Sequence, residues 1–428
     1  MAMDRLANEG LLFPNDLMAE IKERFLYVDR DSDIGERLFF DNAGGSFRLK
    51  KANEVFAKID AIPDCPERNH RMAVKLQKIQ EDGINDVKII FNAEGGSIFT
   101  ALTASEAMFD LVRAIAENVS GTNMVTTVLE HPSAFDAMAL YAERLGKELR
   151  VAKSNPVTGG VDVEEITRLV DKDTCLLNVM FASNISGAIF DIEAIVAKAR
   201  AIKPDLFVVV DAVQHAPHGV MDLKKAPVDA ITFAPYKFFG SRGSGIAWLS
   251  DRAAVLPHHK LTAKAPDFWE LGSPAPGQFA VVTEIVNYVN WIGSKYVHSS
   301  DRRTLYVAGM TKIALHERAL MSLLLNGTEA LPGIRNMDNV KVFLDYEDLT
   351  KRDLILAIGF KNIGFAEAVK AYEKLDVIVY ERVVSSLYSV RMLKAFDMEG
   401  AVRVSPLHCN SSEDIEKFLK ITMDIANL

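Results

Sequence analysis

Cysteine is scarce in this chain: three residues in 428, Cys65, Cys175 and Cys409, far apart and without a Cys-x-x-Cys pair. Neither a disulfide framework nor a thiolate metal site can be built from such spacing, and a reducing compartment suits it best. Long apolar runs are also missing, so no segment is expected to span a bilayer and no membrane partner is expected. The first twelve residues alternate charged and apolar types instead of forming a signal-peptide core, which makes the cytoplasm the expected location. Positive charge is in short supply as well. With a net charge of -9 and no Lys/Arg-rich run, the chain lacks the basic face that a phosphate backbone needs, and nucleic acid is not an expected partner. No internal repeat or low-complexity tract interrupts it.

What is present reads as a large α/β domain with a smaller companion. A chain of 428 residues exceeds one ordinary core. Short apolar runs at 124–129, 175–181, 206–210 and 230–234 alternate with helical periodicity at 132–145, 162–170 and 191–202. This is the pattern of βαβ units around a mostly parallel mixed sheet sandwiched by helices. The Gly/Pro-rich 272–277 breaks the pattern, and a helix over 281–291 leads towards an α+β tail with strands at 340–344, 377–380 and 402–405 and helices at 365–375 and 412–427. The expected organisation is an N-terminal arm, 1–35, contributing to the small domain; a large domain, 36–290; and a small C-terminal domain, 291–428.

Ligands of open α/β sheets sit beyond the carboxyl ends of the strands, so the residues that follow each apolar run are informative. They are Glu130-His131, Ser183-Asn184, Asp211-Ala212-Val213-Gln214 and Tyr236-Lys237. Any one of them is ordinarily a cap or a turn former. Together they supply a carboxylate, an imidazole, amides and a lysine, which suits imine chemistry on an aldehyde cofactor. Lys237, at the end of a buried strand, is the amine that would hold the aldehyde. Asp211 would keep a pyridine nitrogen protonated. His131 would stack on the ring and shuttle a proton, with Gln214 and Asn184 at its hydroxyl oxygen. A phosphate handle would sit at the start of the helix opened by Thr103-Ala104-Ser105-Glu106, with Ala104 and Ser105 nearest and Ser105 the expected cap. The glycines of 240–245 read as a flexible turn after the lysine. No metal site is read.

In order and spacing these residues resemble the class V aminotransferase family of fold-type I pyridoxal 5′-phosphate (PLP) enzymes, in the branch of cysteine desulfurases, selenocysteine lyases and isopenicillin N epimerase. The resemblance runs from Phe40-Asp41-Asn42-Ala43 through Glu130-His131-Pro132, Ser183-Asn184 and the Asp211-x-x-Gln214 strand end to Lys237, 26 residues on, then to Gly272-Ser273-Pro274 and Arg403-Val404-Ser405. It implies PLP on Lys237, Asp211 and His131 as further catalytic groups, and Tyr236 at the phosphate. It also implies Ser273 reaching the phosphate of a neighbouring subunit in a homodimer. Arg403 would grip the carboxylate of a small amino-acid substrate, with Asn42 and Ala43 beside it. The implied activity is a lyase of the desulfurase type working through an external aldimine and an α-carbanion. A class V aminotransferase or an epimerase is the alternative, and a non-catalytic ligand-binding relative is the alternative of another class. One departure stands out. Counting back from Arg403, the place of the desulfurases' persulfide cysteine falls on Tyr388, among Ser385, Ser386 and Ser389, and none of the three cysteines lies there. Tyr236 before the lysine, where desulfurases often carry histidine, is the second departure.

Overall fold

A computed structural model of the chain describes residues 8–428. Seven strands form the large sheet: β1 (Ser97–Ala101), β2 (Asn123–Thr127), β3 (Glu148–Ala152), β4 (Thr174–Met180), β5 (Phe207–Asp211), β6 (Ala230–Phe233) and β7 (Gly245–Leu249). They lie in the order β1-β7-β6-β5-β4-β2-β3. All are parallel except β7, which runs against both of its neighbours.

The central strands are apolar because both faces of the sheet are covered. Along β4 and β5, Leu177, Val179, Val208 and Val210 face one core, shared with helices α1 (Lys50–Asp60), α2 (Arg71–Phe91), α5 (Ile192–Ile202) and α6 (Pro276–Ser294). The intervening Leu176 and Val209 face the other, shared with α3 (Ala104–Asn118) and α4 (Pro132–Arg144). All six side chains are fully buried. The period of two along each strand thus assigns alternate residues to opposite layers. With both faces occupied, the open ends of the strands are where a ligand can enter.

The segment read as a flexible turn after Lys237 is short: it closes at Ser244, and Gly245 already begins β7. The glycine is required there. A Cβ on Gly245 would lie 2.1 Å from the Ala104 nitrogen, so only a bare backbone lets β7 pass the start of α3. The same contact fixes the N-terminus of α3 against the strand that follows the lysine turn.

The second sheet holds β8 (Val340–Phe343), β9 (Leu356–Phe360), β10 (Tyr380–Val383) and β11 (Gly400–Val404), antiparallel in the order β8-β9-β11-β10. Helices α8 (Phe365–Glu373) and α9 (Ser412–Ala426) cover it, with the end of α7 (Arg302–Asn326). The run at 377–380 is not one strand. Val377–Ile378 pairs in parallel with Leu38–Phe39, and the chain then turns into β10. Through that pairing, and the bridge between Asp41 and Ser405, residues 38–41 are tied to the C-terminal sheet.

Candidate active site

A cavity of about 390 Å³ opens at the carboxyl ends of β4, β5 and β6. His131, Asn184, Asp211, Gln214, Tyr236, Lys237, Ala104 and Ser105 all line it, joined by Ser133, Arg242 and Ser244. Eight residues singled out from the sequence, spread from 104 to 237, therefore share one cavity.

Lys237 ends a short 3-10 turn, Pro235–Lys237, that follows β6. Pro235 fixes its own φ at the start of that turn, and the Lys237 N–H donates to the Ala234 carbonyl at 3.0 Å, which turns the side chain back over the strand ends. The residue is 9% exposed, and Nζ lies 3.5 Å from Gln214 Oε1. Burial first, then the charge of Arg403, brings the amine down to about 8, against the opposing pull of Asp211. An amine of this kind is partly neutral, and so nucleophilic, near physiological pH. In the cofactor-free protein, modification of the Lys237 peptide by an aldehyde such as pyridoxal is expected to rise with pH through about 8, and a midpoint at the ordinary 10.5 of lysine would contradict it.

Asp211 closes β5. One carboxylate oxygen accepts the Val213 N–H at 2.9 Å, while burial raises the carboxyl and Lys237 counters that rise. His131 caps α4: Nδ1 accepts the Ser133 N–H at 3.2 Å and lies 2.7 Å from Ser133 Oγ. Burial, with the charges of Lys237, Arg382 and Arg391, lowers the imidazole to about 3, so the ring is neutral. A neutral ring can stack or accept a proton but cannot serve as a standing cation. Tyr236 lies between two guanidinium groups, Arg242 at 4.5 Å and Arg48 at 6.0 Å from the ring centre.

At the start of α3 the cap is Thr103, whose hydroxyl accepts the Glu106 N–H at 3.1 Å, and not Ser105. Sequence order alone does not separate two hydroxyl residues that flank Ala104. The outcome suits an anion better, because Ser105 stands in the first turn facing the cavity.

Arg403 is 3% exposed on β11. Its Nη2 meets Asp41 Oδ1 at 2.6 Å and its Nη1 donates to the Asn184 carbonyl at 3.3 Å. Asn42 and Ala43 follow Asp41, but the Asn42 amide is engaged by backbone, donating to the carbonyls of Phe39 and Ser405 and accepting from the Phe47 N–H. The Ala43 N–H donates to Ser405 Oγ at 3.1 Å. Ser273 does not line the Lys237 cavity. It sits in an adjoining pocket with Glu270, Leu271, His258 and His259, where its hydroxyl bonds Glu67.

The sequence reading missed the arginines. Arg242 was hidden in a glycine run, and Arg48 in a segment without periodicity. Glu130, named beside His131 at the strand end, carries no assigned role in the sequence reading. It is fully buried, takes a 2.7 Å bond from Thr127 Oγ1, and burial lifts its carboxyl to about 8. Arg391 braces the same turn, donating to the Glu130 carbonyl at 2.7 Å.

A fold-type I sheet whose strand ends bring a desolvated lysine, a buried carboxylate, a neutral imidazole and a helix N-terminus to one cavity is the architecture of a PLP enzyme. The aldehyde, ring nitrogen and phosphate each find a matching group: an amine, an acid and a set of free N–H donors. Residues 39–418 match the family model described as Aminotransferase class-V, and the chain belongs to that family; it is a PLP-dependent enzyme. Among similar proteins, a probable cysteine desulfurase of Borreliella burgdorferi is 23% identical, over 93% of this chain and 94% of that one. Another from Mycoplasma genitalium is 28% identical, over 89% and 91%. Among solved structures, a cysteine desulfurase of Escherichia coli superposes with a TM-score of 0.78 at 16% identity, covering 97% of this chain and 99% of that one.

Proposed function

We propose that the enzyme acts on a small amino acid at Cα, as the cysteine desulfurase-like relatives suggest, with loss of a side-chain group as the leading outcome. The observation that carries this reading is the placement of one buried amine, Lys237, between Gln214 and the charge fields of Asp211 and Arg403. Bound PLP supplies an aldehyde that condenses with amines and a ring that withdraws electrons from Cα.

The residues divide the remaining work. Lys237 would hold the aldehyde, and its Nζ is the group placed to take the Cα proton. Asp211 would keep the ring nitrogen protonated, and its burial would strengthen that interaction. His131, neutral and held by Ser133, stacks on the ring. Gln214 and Asn184 orient the ring oxygen, and Ala104, Ser105 and Tyr236 receive the phosphate. Arg403 grips the α-carboxylate through its planar fork, exchanging part of its contact with Asp41 for the substrate.

No cysteine thiolate takes part in this reading. Cys175 and Cys409 are buried with their thiols raised, Cys65 is exposed, and Tyr388 stands 6.4 Å from the His131 ring on the segment where a persulfide cysteine would be expected. The enzyme is proposed to work as a cytoplasmic homodimer, with Ser273 and its neighbours at the subunit boundary. The test is a product screen of the PLP-loaded protein across amino acids, separating keto acid, alanine, sulfide and racemised products. Release of a side-chain fragment supports the reading. Keto acid alone reassigns the enzyme to transamination, and no product or spectral change with any amino acid overturns it.

A further inference from the structure

Arg382 is a buried cation with no direct ion pair among the described residues; Asp41, whose charge it feels, is bonded to Arg403 instead. Arg382 lies on β10, 6% exposed, and its Nη2 donates to the Tyr388 carbonyl at 2.8 Å. Its Nε is buried without a partner, and no carboxylate among the described residues lies within 4.0 Å of it. A carbonyl calls for a donor, not for a charge. Burying an unpaired guanidinium is costly, and such groups are usually matched by an anion.

The other cations of the site are accounted for. Arg403 has Asp41, and Lys237 has Asp211 in its field. Arg242 and Arg48 flank Tyr236 at the phosphate end, and Arg391, bonded to the carbonyls of Val128 and Glu130, lies in the field of the Asp136 and Glu130 carboxyls. Arg382 remains. Neither Arg382 nor Arg403 lines the cavity itself, but both stand behind its wall: Arg382 holds the Tyr388 segment, whose ring is 6.4 Å from His131, Arg403 bonds the Asn184 carbonyl, and the charge of Arg382 acts on His131 and Lys237.

Strand register places it relative to Arg403. Arg382 on β10 pairs with Ala401 on β11. Directly opposed residues of an antiparallel pair point to the same side, and so do residues two apart on one strand. Arg382 and Arg403 therefore share one face as diagonal neighbours, with backbones about 7–8 Å apart. Two guanidinium groups so placed can grip the two ends of one short ligand.

We propose that the substrate is a dicarboxylic amino acid of four or five carbons, its α-carboxylate on Arg403 and its side-chain carboxylate on Arg382. This rests on the proposed function of the Lys237 cavity. It adds a substrate class and makes Arg382 a specificity-determining residue.

The test needs no turnover. By calorimetry on the PLP-loaded protein, succinate or glutarate is expected to bind on the order of 100-fold more tightly than butyrate, the amount that a desolvated charge pair supplies. Arg382→Gln is expected to remove that preference by weakening the dicarboxylate alone, while Arg382→Lys keeps part of it and Arg403→Gln weakens both probes. Equal binding of the two probes to the unaltered protein would overturn the proposal. So would an Arg382→Gln protein in which both probes weaken equally, since that outcome makes Arg382 only an anchor for the Tyr388 segment. The comparison of probes on the unaltered protein holds even if Arg382→Gln fails to fold. Borohydride fixation of the cofactor separates the two levels. A pyridoxyl group on Lys237 without dicarboxylate preference defeats the substrate class alone, whereas no fixation defeats the reading of the cavity.

Discussion

Lys237→Ala is expected to abolish turnover while leaving the fold in place. The amine has two tasks in the proposed mechanism, holding the aldehyde and moving the Cα proton. Loss of the proton transfer alone costs about 10²–10⁴-fold, and loss of the covalent hold adds to it. Stability should not suffer. The side chain is buried and its ammonium form is disfavoured there, so alanine removes a desolvated cation as well as some packing. The measurements are steady-state turnover beside the thermal midpoint of the cofactor-free protein. An inactive variant with an undiminished midpoint agrees. A variant retaining activity removes the assigned role, and a collapsed midpoint would show that Lys237 is structural.

The second large effect is expected from Asp211→Asn. The side chain keeps its shape and can still accept the Val213 N–H, but it carries no charge to hold a pyridine nitrogen protonated. Removing one preorganised electrostatic partner of a reacting group typically costs about 10²–10³-fold in turnover. A separate readout comes from the lysine. Asp211 raises the Lys237 amine, so its neutralisation should lower that amine below about 8 and shift aldehyde modification of the cofactor-free variant to more acid pH. Both changes are required. Unchanged turnover with an unchanged pH midpoint would mean that the carboxylate does not face the cofactor site.

The parts of the site legible in the sequence are those imposed by the sheet. β4 and β5 are buried on both faces, so they stand out as apolar runs, interrupted inside β4 by Asn178 alone, and the polar residues after them mark the ligand edge. Asp211, Asn184, Gln214 and Lys237 follow from that rule alone. Arg382 could not be found the same way. Its strand, Tyr380–Val383, is short and half-exposed at the edge of the smaller sheet, and its significance arises from pairing with a strand some twenty residues away. The long helix α7 was equally hidden. It buries His316 and Glu317, which break its apolar periodicity, and their partners, the Asn410 carbonyl and His218, lie about a hundred residues distant. Polar contacts between distant segments leave no local pattern. Strand burial does.

Reduction of the PLP-loaded protein with borohydride, followed by digestion and peptide mass analysis, tests the account at its root. The expected result is a single pyridoxyl adduct on the peptide that contains Lys237. An adduct on another lysine, or none after saturation with cofactor, would contradict it.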